Sequence, residues 1–213
     1  MNFPFTASAA GAGGRYSMSI LVPREKRRDF VLQVLTAVIL GICFLNPLTE
    51  RLEYGNAILF MFSHYALFLV GFCLSYRIVS LHPLTALAGV VIAVIWHFPV
   101  TFAVSGAVPA FRVFEESTIA LAGFLIGSSL NRMPSLPKSA LIVLWFCSDT
   151  ALSVLFIVLP GIYSHSSIPQ SAYTPSQFVV LGVAMIFFMN AVIAFILYRY
   201  VRKLRPLLMS DET

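Results

Sequence analysis

Charge is scarce in this chain. Asp, Glu, Lys and Arg together make up 11% of its 213 residues, against roughly 25% in soluble domains, which excludes an ordinary water-exposed globule. Cysteine is rarer still, with three residues. Cys43, Cys73 and Cys147 lie inside apolar runs without paired spacing, which excludes a disulfide framework or a thiolate metal motif and leaves small packing residues. Catalytic motifs are missing as well: there is no Walker loop, no dinucleotide glycine pattern, no His-Glu-x-x-His and no convincing nucleophile. A non-enzyme is therefore expected, least of all a hydrolase or a nucleotide-driven pump. In Met1–Pro23 the basic residues follow the small ones instead of preceding an apolar stretch, so the segment does not read as a secretory signal. A cytoplasmic tail is expected over residues 1–28.

Apolar side chains are what the chain has in excess, at 59%. Six stretches approach or reach the roughly 17 to 25 residues that cross the hydrocarbon of a bilayer: 30–46, 57–79, 83–104, 114–130, 139–159 and 176–198. The expected fold is an all-α, polytopic integral membrane bundle of six transmembrane helices over residues 29–200, with a C-terminal tail over 201–213. Of the fourteen Lys and Arg residues, twelve flank the same ends of these spans. Only Arg51 and Arg112 fall at the opposite ends. Because Lys and Arg near helix ends stay cytoplasmic, both termini are expected inside a cell membrane, and the even number of spans agrees. Topology thus accounts for the net charge of +5, and nucleic acid is not needed as a partner. Membrane lipids and other membrane proteins are.

Polar residues inside the spans are costly and usually mark a site. His64 and His97 each lie seven residues from the outer end of their spans, roughly 10 Å deep at 1.5 Å per residue. Glu115 and Glu116 open the fourth span, His165 belongs to the last outer loop, Met61 sits one turn above His64, and Asp149 is near mid-membrane. His64 shares a helix face with Gly71 and Ser75, His97 with Gly89 and Ala93, Glu116 with Gly123 and Gly127, and Asp149 with Ser153. Small-residue faces pack against other helices, so the ionisable groups should converge inside the bundle. His64, His97 and Glu116, supported by Met61, Glu115 and His165, form a donor set suited to copper or zinc. Two histidines at one depth also suit a b-type haem. The third alternative is a set of hydrogen bonds that ties helices together.

The segment Trp96-His97-Phe98-Pro99, then Phe114-Glu115-Glu116, Ala122-Gly123-Phe124-Leu125 and Ser129-Leu130, resembles the CtaG-type family of cytochrome c oxidase assembly factors and its archaeal membrane relatives. His64 in Phe62-Ser63-His64-Tyr65 is similar to one of that family's earlier helix histidines. Where the family shows Glu-His, this chain has Glu115-Glu116. The resemblance implies copper handling or assembly for a respiratory oxidase on the outer face of the membrane. The alternatives are a stable accessory subunit of a membrane redox complex and a b-haem electron carrier.

Overall fold

Asparagine and proline mark where this chain begins its helices, and small residues decide how closely the helices pack. The computed structural model describes the backbone of residues 24–209 and the side chains of residues 28–202; the expected tail segments 1–23 and 210–213 lie outside the described residues. Among the described residues eight α-helices follow in order: α1 (Arg24–Phe44), α2 (Pro47–Glu53), α3 (Ala57–Ser75), α4 (Thr85–Trp96), α5 (Pro99–Ala107), α6 (Pro109–Ser129), α7 (Ser135–Val158) and α8 (Pro175–Met209), with a 3-10 turn at Pro160–Ile162. No strand occurs among the described residues, so the all-α expectation stands. Asn46 caps α2, its Oδ1 accepting from the N–H groups of Leu48 and Thr49 at 3.0 Å. Asn56 caps α3 in the same way. Pro47, Pro99 and Pro109 stand in the first turns of α2, α5 and α6, where a missing N–H costs no helical bond.

The stretch 83–104, expected as one span, is two helices: α4 and α5 meet at an angle of 73°. The reason is local. Proline disfavours the helical conformation in the residue before it, and Phe98 accordingly takes φ −67°, ψ 144°. That leaves His97 as the cap of α4, at φ −92°, ψ 0°. The Thr101 hydroxyl bridges the break by donating to the carbonyls of Ile95 and Phe98. A second bend, of 61°, separates α1 from α2.

Among the described residues, three helical stretches, α3, α7 and Pro175–Arg202 of α8, are long and apolar enough to cross a membrane, or up to five if each bent pair counts as one span. The last helix also continues through residues 201–209, expected as tail. On α6 the three charged residues Arg112, Glu115 and Glu116 all face inward and are buried.

At the centre, α6 packs on α3 and α4, while α1 and α8 lie against α3 and α7 pairs with α8. The α3–α6 contact is backbone on backbone. A Cβ on Gly71 would fall on the Ala120 carbonyl, and one on Gly123 on the Phe68 carbonyl. Gly127, against Phe72 and Ser75, continues the seam. Small residues at such a crossing bring the helices near enough for dense van der Waals contact, which drives helix association in lipid. Large apolar side chains such as Ile42 and Phe187 are left exposed on α1 and α8, as suits contact with lipid tails.

At the end of the bundle that carries α2 and the 159–174 segment, an aromatic core forms around Phe102. Its ring lies 5.1 Å from Phe60, 5.8 Å from Phe156 and Phe178, and 5.9 Å from Tyr163. These spacings fall in the range of favourable edge-to-face and tilted pairs. Against this core lies a group of polar side chains.

Candidate functional site

His64 and Glu115 are the centre of the polar group. They face each other across the α3–α6 contact, His64 Nε2 against Glu115 Oε1, and both are almost wholly buried. The other ring nitrogen, Nδ1, donates to the Phe60 carbonyl at 2.6 Å. A carbonyl can only accept, so Nδ1 carries a proton and one more proton lies between Nε2 and Oε1. Whichever atom holds it, imidazolium with carboxylate or imidazole with carboxylic acid, the pair has no net charge. Neutrality is what a low-dielectric interior demands of two ionisable groups.

His97 stands beside the pair, its ring centroid 6.2 Å from that of His64. The break ahead of Pro99 places it there. Its Nδ1 donates to the Ala93 carbonyl at 2.6 Å, and among the described residues Nε2 makes no hydrogen bond. Trp96, one residue earlier, is buried and donates from Nε1 to the Thr118 hydroxyl at 2.7 Å, fixing the end of α4 to α6.

Arg112 and Glu53 complete the group, and neither belonged to the site expected from sequence. The guanidinium is 2% exposed. It donates to three carbonyls, Gly106 at 2.9 Å, Glu50 at 3.1 Å and Ser105 at 3.4 Å. Ser105 and Gly106 belong to the last turn of α5, where positive charge is favoured, and Glu50 belongs to α2, so one cation ties the end of α5 to α2. Its Cζ lies 3.9 Å from the centroid of Tyr54 and 4.9 Å from that of Phe60. Glu53 Oε2 is 3.6 Å from Nη1, an ion pair without a hydrogen bond. The signal for Arg112 was in the sequence: with Glu115 and Glu116 it forms an i, i+3, i+4 set on one helix face. Glu53 had no local signal, because only the packing of α2 brings it inward.

Among the described residues, four buried carboxylate oxygens have no hydrogen-bond partner: both of Glu53, Oε2 of Glu115 and Oε1 of Glu116. Buried polar atoms are nearly always paired, so four orphans in one place call for an explanation. Glu116 is close enough to Arg112, His64, Glu115 and Glu53 for their charges to interact. Among the described residues no set of three His, Cys, Asp or Glu side chains is gathered tightly enough to hold a metal ion as it stands. The structure therefore brings His64, Glu115, Glu116 and His97 into one neighbourhood, but with His64 Nε2 already engaged by Glu115. A metal ion or a haem iron would take His64 Nε2 only by displacing that contact.

The remaining expected residues lie apart. Met61 is wholly buried in the aromatic core. His165 is exposed, with Nδ1 at the Tyr173 carbonyl, 3.1 Å away. Asp149 is buried on α7 and accepts from the Tyr65 hydroxyl at 2.8 Å. Facing a phenol and not the histidines, it clamps α7 to α3.

Over the polar group lies the segment between α7 and α8. Tyr163 and Tyr173 are buried, and burial pushes both phenol hydroxyls above their usual range, which keeps them protonated donors. Tyr163 donates to the His97 carbonyl at 3.0 Å and Tyr173 to the Glu53 carbonyl at 2.9 Å.

Residues 35–203 match the family described as protein of unknown function, DUF1404. No curated protein and no solved structure matches the chain.

Proposed function

We propose that this chain, which belongs to the DUF1404 family, is a non-enzymatic membrane factor that handles a metal, with copper for a respiratory oxidase as the cargo its sequence resemblance suggests. The observation that carries the reading is the set of four unpaired, buried carboxylate oxygens beside two imidazoles. Oxygen and imidazole donors together suit copper(II) or zinc. His64, His97 and Glu116, with Glu115 in support, would hold the ion. Arg112, already committed to three carbonyls, would offset part of the acidic charge. A bound cation would supply the positive charge that the orphan oxygens lack. In this reading α6 is a sixth span whose charged face is hidden from lipid, both termini are cytoplasmic, and the polar group lies in the outer half of the membrane.

Metal analysis of the purified protein, beside His97→Ala, tests the proposal together with the copper content of the oxidase in a deletion strain. Copper or zinc in the wild type, lost in the variant, with an under-loaded oxidase on deletion, is the expected result. No metal in either protein and an unchanged oxidase would reject it. Stoichiometric co-purification with a redox complex in gentle detergent would instead favour a permanent accessory subunit.

A further inference from the structure

The polar group is closed off at one end of the bundle by the segment 160–174, and two features tie that segment to the site itself. The Tyr163 hydroxyl is bonded to the backbone of His97, and the Tyr173 hydroxyl to the backbone of Glu53. Both carbonyls belong to residues of the polar group, so the segment cannot lift without releasing the site. A third link runs from the Gln177 amide, at the start of α8, to the Gly55 carbonyl at 2.7 Å.

Within itself the segment is braced. The Ser171 hydroxyl donates to the Tyr163 carbonyl at 2.9 Å. His165 bonds the Tyr173 carbonyl through its backbone N–H, at 3.2 Å, and its ring. These bonds make the segment one body carrying both tyrosines. Its seat is shaped to receive it: Gly106 on α5 lies so close to the Tyr173 ring that a Cβ there would come within 2.7 Å of Cε2. The same Gly106 accepts from Arg112. At its base the 3-10 turn Pro160–Ile162 packs against α7 and α8, and the Gly161 carbonyl accepts from the Ser164 backbone N–H and hydroxyl.

We infer that residues 160–174 form a lid, latched by Tyr163 and Tyr173, whose opening is the route by which solvent and a ligand reach the buried carboxylates. The inference goes beyond the metal-handling reading and holds whatever the cargo is. The segment, with two prolines, four serines and no formal charge, is held by these bonds and by the packing of both tyrosine rings in the aromatic core around Phe102.

A single reporter cysteine tests this without any metal. Ser63 is buried beside Glu53, and Ser63→Cys is placed in a chain whose three natural cysteines are replaced. Modification by a membrane-impermeant thiol reagent is then followed in proteoliposomes, and a separate cysteine at exposed Ser166 reports which side the lid faces. The lid requires slow labelling of residue 63 from the Ser166 side alone. It requires a rise of roughly tenfold or more in Tyr163→Phe with Tyr173→Phe, from the loss of two buried hydrogen bonds. Gly106→Ala, which leaves the lid's own residues intact, should also accelerate labelling. Tyr65→Phe removes a bond of the same kind away from the lid and should leave the rate unchanged. Labelling from the opposite side, no labelling in any variant, or equal acceleration by Tyr65→Phe would overturn the inference. Failure to bind metal would reject the proposed function and leave this result standing.

Discussion

At the residue scale, Arg112 decides more than any other side chain. Removing one member of a buried ion pair costs about 3–5 kcal/mol, because the partner is left charged and alone. Arg112→Met would in addition strand the carbonyls of Glu50, Ser105 and Gly106. A loss of that order in stability is expected in detergent unfolding, and Glu53→Gln combined with Arg112→Met should recover part of it; a neutral single variant would contradict the assignment. The tyrosines give a pH dependence with a definite sign. Their hydroxyls titrate above the usual phenol range in the folded chain, so folded protein holds protons that unfolded chain has lost. The stability they contribute is complete below the ordinary tyrosine pKa of about 10 and declines above it. Stability measured from pH 9 to 12 should fall less steeply in Tyr163→Phe with Tyr173→Phe. Residue identity alone pointed to His64, His97 and Glu116, with Glu115 in support, because imidazole and carboxylate are conspicuous in an apolar run. Arg112 was passed over as a topology signal, although its spacing from Glu115 placed it on the same face.

At the scale of elements, the α3–α6 seam and the break before Pro99 position everything else. Gly71→Leu would drive a side chain into the Ala120 backbone, where neither partner can yield, whereas Gly41, with nothing near it, tolerates the change. Overpacking of this kind costs about 1–3 kcal/mol, and more where backbone must move. Unfolding measurements on Gly71→Leu and Gly41→Leu should therefore differ by at least that much, and the His64–Glu115 contact should open in the former. Equal stability would show that the seam is not as close as described. The seam was half legible: Gly123-x-x-x-Gly127 announces a close helix approach, but the motif recurs by chance and does not name its partner. The break was legible in principle, since Phe98 precedes a proline. Hydropathy hid it, because residues 83–104 stay apolar straight through a 73° turn.

For the whole molecule, the governing fact is a charged group held inside a bundle whose outer surface is apolar. Composition disclosed the helical, membrane-compatible class, and the histidines, Glu115 and Glu116 were expected to converge inside it. What the sequence withheld was Glu53, which only tertiary packing of a seven-residue helix brings inward, and the tyrosine latch, whose partners are backbone carbonyls distant in the chain. The central claim is that the orphan carboxylates and imidazoles together receive a cation. It is tested most directly by titrating detergent-purified protein with copper and with zinc, by calorimetry, in parallel with Glu116→Gln and His97→Ala. The account predicts one saturable site in the wild type, weakened at least tenfold in each variant, a loss of about 1.4 kcal/mol or more in binding. Identical isotherms for all three proteins, or none that saturates, would contradict it.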